Sequence, residues 1–205
     1  MTIYFDKLKE VKTFSQIDYF NINMGDAKIM LQPVDESDET ITLLTKWRND
    51  NWYWFDKFTA TKESTSIWLK NQVINNPDRI LFLIFLNGEK IGHIGTFRYN
   101  ESENSAEIDN VLRGIRGCCP GLMEYVTNKL ISWMFSELKL SKIKLKVFSD
   151  NYKAINLYER CKMLTIGNIP LKREFNDQGW KWMPVKPSNV YAERYYSIME
   201  ITPNF

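Results

Sequence analysis

The chain has 205 residues, 44% apolar and 25% charged, with 27 Lys+Arg against 25 Asp+Glu and a net charge of +2. That length points to one domain, and that balance argues against a protein that coats nucleic acid or an anionic membrane. A single histidine, His93, excludes a two-histidine metal site, so no metal is expected. In chain order, residues 1–26 show no clear period and read as an N-terminal extension packed on one domain of residues 27–205. No basic-flanked apolar run resembling a signal peptide opens the chain. AKIMLQPV (27–34) reads as a strand. DESDET then favours a helix start, carried through ITLLTKWRND. KESTSIWLKNQVI predicts a second helix, closed by the turn residues 75–78.

A β signature follows. RILFLIFL, NGEK and IGHIGTFRYN read as strand, turn and strand, with Asn87-Gly88 as the hairpin signal. The run 80–86 is far too short to cross a bilayer and reads as a buried strand, so no membrane span is expected. SAEIDNVLRG gives a third strand of this half. From Gly121 the period changes: Leu122, Val126, Leu130 and Met134 recur at helical spacing. IKLKVFS alternates as a strand. DNYKAINLYERCKM is helical, with Ser149 or Asp150 as its cap. Strands near 163–173 and 192–202 end the pattern, with an irregular aromatic segment at 175–191 between them. Hairpins followed by a βαβ unit predict a mixed α/β sheet with helices on its faces.

The chemistry is expected between Ile108 and Met163. A strand runs into the loop Ile115–Gly121, which opens a long helix. Free N–H groups and the helix dipole at such a start favour an anion, and Arg113 and Arg116 add charge-assisted contacts. A plain strand-to-helix turn, with Pro120 near the first helical position, explains the same residues. Cys118, Cys119 and Cys161 are an odd set with two adjacent members. They read as reduced thiols of a cytoplasmic protein rather than a disulfide framework.

Two segments resemble motifs of the GNAT superfamily of acyl-CoA-dependent N-acetyltransferases. Arg116-Gly117-Cys118-Cys119-Pro120-Gly121 is similar to its Gln/Arg-x-x-Gly-x-Gly/Ala pyrophosphate loop, with Cys119 replacing the middle glycine. Asn151, Ala154, Tyr158 and Glu159 match its N-x-x-A-x-x-x-Y-E segment, which ends in Lys162-Met163 rather than Gly-Phe. The resemblance covers about residues 27–175. It implies a mostly antiparallel sheet of about seven strands, splayed between the fourth and fifth, with helices on both faces. It implies acetyl-CoA as cosubstrate, a small-molecule amine acceptor and direct transfer in a ternary complex. Tyr158 would protonate the leaving thiolate. Glu107, Asp109 or a water chain would take the amine proton. Amides of Asn110, Val111 and Leu112 would hold the thioester carbonyl. Arg113, Arg116, Gly117, Cys118, Cys119, Gly121 and Leu122 would line the phosphates, and Asn151, Ala154 and Tyr158 the pantetheine arm. A non-catalytic acyl-CoA-binding module shares these motifs.

For the acceptor, Trp47-Arg48-Asn49-Asp50 with its aromatic turn, followed by a Trp-bearing helix, is similar to bacterial amino-sugar and ribosomal-protein N-acetyltransferases. Pro120 to Met123 resembles enzymes of nucleotide-sugar and surface-polysaccharide synthesis. This places Arg48, Asn49, Trp52, Trp54, Phe55 and His93 at the acceptor, with Trp180 and Trp182 as a second wall. The expected acceptor is an amino sugar, probed against protein, peptide or aminoglycoside amines. The same rings, part of an excess of 7 Trp, 10 Tyr and 12 Phe, also suit a core or a homodimer interface.

Overall fold

The computed structural model describes residues 3–13, 20–117, 119–177, 179–186 and 191–203. Its strands form one sheet: β1 (Phe20–Met24), β2 (Ala27–Pro33), β3 (Ile80–Leu86), β4 (Glu89–Asn100), β5 (Ser105–Arg113), β6 (Lys142–Phe148), β7 (Leu164–Asn176), β8 (Gly179–Pro184) and β9 (Arg194–Ile201). The order is β1-β2-β3-β4-β5-β6-β9-β7-β8. Every neighbouring pair is antiparallel except β5 and β6. That parallel pairing joins Ser105, Ala106 and Glu107 to Lys142, Ile143 and Lys144 only. Beyond it the strands part. Counted from Ala27 they are the fourth and fifth, so the splay falls where the family resemblance puts it.

Among the described residues, five α-helices cover the sheet: α1 (Ile3–Thr13), α2 (Asp38–Asp50), α3 (Lys62–Trp68), α4 (Leu122–Ser136) and α5 (Tyr152–Arg160). α3 continues into a wider π-type turn at Leu69–Ile74. The apolar run of β3 serves both layers. Ile80, Phe82 and Ile84 join the core beneath α1, α4 and α5, whereas Leu81, Leu83 and Phe85 pack with Leu44 and Trp47 of α2 and with Leu69 and Val73. A strand buried on both faces needs no polar alternation, which explains the continuous run.

The structure adds to the sequence reading in three places. The first 26 residues contain α1, whose Tyr4, Leu8 and Val11 are fully buried, and β1, which pairs with β2. Their i, i+4, i+7 spacing is a helical stripe, narrow enough to escape a search for a broad apolar face. Residues 175–184, expected to be irregular, complete a hairpin instead, pairing Phe175 with Trp180 and Arg173 with Trp182. Trp180, Lys181 and Trp182 alternate as a strand does. With β1 and β8 the sheet has nine strands rather than about seven. The cap of α5 is Asn151, whose side chain accepts from the Ala154 N–H, rather than Ser149 or Asp150.

Candidate active site

The parting of β5 and β6 opens a cavity of about 880 Å³. One wall is Glu107 to Arg113 of β5 and the other Leu145 to Phe148 of β6. The starts of α4 and α5 close one end. Asn51, Trp54 and Phe55 line the cavity as well.

β5 carries an irregularity at the middle of this wall. Its register with β4 slips between His93 and Gly95, and Asn110 takes a left-handed φ of 51°, a conformation that asparagine tolerates better than most residues. Past Glu107 no strand pairs with β5 on its β6 side, so alternate backbone N–H groups open into the cleft. Asp109 is gripped by Arg79, through Nε at 3.0 Å and through Nη2, and accepts from Asn110 Nδ2 at 2.7 Å. Glu107 accepts from Arg98 Nη1 at 2.9 Å and Lys146 Nζ at 2.8 Å. Both carboxylates line the cavity, and both are committed to cations. Val111 lines it as well, and so does Leu112 at the strand's end.

Gly114 follows with a close packing demand: a Cβ there would lie 2.1 Å from the buried Trp47 ring. The loop then carries left-handed residues. Gly117, Cys119 and Gly121 have φ of 91°, 48° and 80°. Cys118 lies outside the described residues. Gly121 caps α4 without a side-chain bond, so the Met123 and Glu124 N–H groups have no intrahelical acceptor. They face the cavity end flanked by Arg116, Lys153 and Arg160, a setting that suits a polyphosphate. Cys119 replaces the usual glycine at a φ that L residues seldom adopt, with its sulfur packed 4.0 Å from Met24 Sδ. Arg116 donates to Asn51 Oδ1 at 2.9 Å, and Arg113 Nε donates to Ile115 O at 3.0 Å. Leu122 is fully buried in the core, so it anchors the helix rather than touching a ligand.

From α5, Asn151, Ala154, Leu157 and Tyr158 reach the cavity. Burial pushes the Tyr158 phenol well above its ordinary range, with Cys161 and then Asp109 adding to the effect. It is therefore a protonated donor at neutral pH, and its hydroxyl makes no hydrogen bond to another described residue.

Of the acceptor candidates, Trp54 and Phe55 line the cavity, whereas Arg48, Asn49, Trp52, His93, Trp180 and Trp182 do not. Arg48 lies between the rings of Phe55 and Phe58, 4.3 and 4.4 Å away, and donates to Asp56 O at 2.6 Å. Burial lowers its guanidinium to about 10. Asn49 spends both amide atoms on the Ala60 backbone. Trp52 is 42% exposed and covers Lys57 Nζ at 3.7 Å. The two Trp-rich segments do meet. Lys57 and Trp180 exchange backbone bonds of 2.8 and 3.0 Å, and Trp182 N donates to Asp56 Oδ1 at 2.9 Å. His93 is buried beneath β5 with Nδ1 2.6 Å from Asn110 O, away from the acceptor wall. Burial lowers its imidazole to about 4.

Sequence reasoning missed Arg194. Its guanidinium holds Asp150 through Nε and Nη2 at 3.0 Å each, donates to Tyr53 O at 3.0 Å and lies 3.5 Å from the centre of the Phe148 ring. Arg98, Lys146 and Tyr196 also line the cavity unannounced. Only the alternation of IKLKVF, which places Lys146 opposite the buried face, hinted at one of them.

A cleft between a bulged strand and its splayed parallel neighbour, ending on an uncapped helix and flanked by a protonated phenol, is the framework of an acyl-CoA-dependent N-acetyltransferase. The family model described as the acetyltransferase (GNAT) domain matches residues 28–164, and the chain belongs to that family. It is an N-acetyltransferase that uses acetyl-CoA. Spermidine N(1)-acetyltransferase of Vibrio cholerae is 25% identical over 153 residues, covering 75% of this chain and 86% of that one. The solved spermidine N-acetyltransferase of Vibrio cholerae in complex with CoA and spermine has a TM-score of 0.66 at 18% identity, over 85% of this chain and 95% of that one. A dodecameric structure of the spermidine N-acetyltransferase from the same organism gives 0.61 at 20% identity, over 85% and 93%. These relatives acetylate polyamines, whereas the sequence reading placed the chain nearest amino-sugar and ribosomal-protein enzymes. No helix among the described residues is long and apolar enough to cross a membrane.

Proposed function

We propose that the enzyme acetylates a primary amine of a small polyamine. The observation that carries this reading is one cavity lined at once by the rings of Trp54 and Phe55 and by the carboxylate of Asp109, whose Oδ1 receives no hydrogen bond from a described residue. Aromatic faces and carboxylates together suit an alkylammonium chain. The polyamine-acetylating relatives support the same class.

The proposed roles draw their support from the geometry. Uncapped amides at Met123 and Glu124, with Arg116 and Lys153, bind the cofactor's phosphates. Asn151 and Ala154 border its arm. Acetyl-CoA supplies the activated acyl group. Backbone N–H groups around Asn110, Val111 and Leu112 stabilise the negative charge that develops on the carbonyl oxygen as the amine attacks. The new C–N bond forms as the C–S bond breaks. Tyr158 gives its hydroxyl proton to the departing sulfur. The amine's surplus proton passes to Glu107 or Asp109, directly or through water.

Residues 27–205 act as one domain with 1–26 packed upon it, supported by the buried side chains of α1. The cytoplasm is the proposed compartment, consistent with free thiols. A homo-oligomer is supported by the dodecameric relative.

A thiol-release assay with acetyl-CoA tests the acceptor across spermidine, spermine, UDP- and dTDP-amino sugars, aminoglycosides and peptides. Spermidine or spermine is expected to give the highest kcat/KM. Turnover of an amino sugar with both polyamines inert would return the acceptor to the sugar class, where Trp54 and Phe55 would stack on the ring.

A further inference from the structure

The strained point of the cleft is Asn110. A left-handed φ at a non-glycine residue is strained, and such strain persists only where the surroundings over-determine it. The strand ladder does not supply that constraint. β6 has left β5 by this point, and the register with β4 slips beside it.

Two side chains from the opposite side supply it. His93, on β4, places Nδ1 2.6 Å from the Asn110 carbonyl oxygen. That oxygen only accepts, so the ring carries its proton on Nδ1. Arg79, which enters β3, holds Asp109 Oδ2 through Nε and Nη2. The same oxygen accepts from Asn110 Nδ2 at 2.7 Å. Arg79 is itself fixed by Nη1 on Gln72 O at 3.2 Å and by the Phe97 ring 4.1 Å away. Both residues are buried, at 6% and 8% exposure. Asn110 is thus tied at its carbonyl and at its side chain, all from one flank, and its other flank stays open to the cleft.

We propose that His93 and Arg79 are positioning residues that hold Asn110 left-handed and so aim the β5 amides at the thioester carbonyl. This rests on the assignment of those amides to the carbonyl. It gives His93 a role in the reaction, though it touches neither substrate nor acceptor wall. It also makes Asp109 a strut: Oδ2 is used by Arg79 and Asn110, and Oδ1 receives no hydrogen bond from a described residue.

The test needs no acceptor. Acetyl-CoA has the thioester carbonyl and CoA lacks it, so the change in the ratio of their Kd values between wild type and variant, measured by calorimetry, reports the hold on that carbonyl. The wild-type enzyme is expected to favour acetyl-CoA. His93→Phe keeps a ring but loses the donor, and should cut that preference about fivefold with CoA affinity unchanged. His93→Asn, whose Nδ2 takes the place of Nδ1, should keep it. Adding Asn110→Gly to His93→Phe should restore it, because glycine adopts positive φ without support. Thermal unfolding of each variant confirms that the compared proteins are folded. Should His93→Phe not fold, Arg79→Lys, which keeps the charge but loses the two-point grip, is expected to cut the ratio in the same way. A folded His93→Phe or Arg79→Lys with the wild-type ratio overturns the proposal, as does a folded double variant that recovers nothing. Equal wild-type affinity for the two ligands overturns it through the amide assignment beneath it.

Discussion

Around the start of α4 the groups offered to the cleft include backbone amides, whereas around Trp54 and Phe55 they are side chains held by other side chains. The first set depends on φ angles at Asn110, Gly117, Cys119 and Gly121 and on an uncapped helix. The second depends on ties between distant segments: Arg48 to Asp56, Lys57 to Trp180, and Arg194 to Asp150 and Tyr53. Backbone amides are presented whatever side chains the residues carry, whereas a tied set of side chains depends on each residue type in it. The cofactor end should therefore respond to changes in backbone geometry and the acceptor end to the loss of single ties.

The largest expected effect probes the cofactor end through His93. Burial lowers its imidazole from 6.5 to about 4. Between those values the unfolded chain binds more protons than the folded one, so this contribution is complete above pH 6.5 and is lost as pH falls toward 4. A shift of that size corresponds to about 3 kcal/mol. Chemical denaturation at pH 7.5 and pH 4.5 should show a larger drop for the wild type than for His93→Phe. Equal drops would mean the histidine is not held neutral beneath the bulge.

Next comes Tyr158→Phe. Loss of the proton donor should lower kcat about 100-fold while CoA affinity stays within about twofold, since the ring remains. Unchanged turnover would remove the tyrosine from the chemistry.

Arg194→Ala tests the other end. It frees Asp150, Tyr53 and the face of Phe148 together. The KM for spermidine should rise about tenfold with acetyl-CoA affinity unchanged, a split that corresponds to about 1.4 kcal/mol. A parallel rise in both constants would show that the two ends are not separately built.

The smallest effect is expected at Cys119→Gly. The left-handed φ of 48° becomes unstrained, but the Met24 contact and some unfolded-state restriction are lost, and these terms oppose each other. CoA affinity by calorimetry should move less than about twofold. A tenfold gain would show that the cysteine handicaps the phosphate cradle.

The same division explains what the sequence made readable. Arg116, Gly121, Asn151, Ala154 and Tyr158 sit in contiguous motifs because a strand–loop–helix unit holds one end of the cleft. The splay between the fourth and fifth strands came from the family resemblance, and only the structure places it after Glu107. Arg79, Arg194 and Asp56 meet their partners only after the sheet assembles. Their sequence separations, 44 residues for Arg194 and Asp150, leave no local period to detect. His93 was visible as a lone histidine, yet its partner lies across a bulge that no residue pattern announces. The second Trp-rich segment was expected to be an acceptor wall in an irregular stretch, whereas Trp180 and Trp182 belong to a strand paired with Phe175 and Arg173 and do not line the cavity.

The most direct test of a cleft with an amide-lined cofactor end is a crystal structure with CoA. The pantetheine arm should run between β5 and β6, the pyrophosphate should accept from the Met123 and Glu124 N–H groups, and the sulfur should lie beside the Tyr158 hydroxyl. CoA bound outside the β5–β6 cleft, or with its phosphates away from the start of α4, would contradict it.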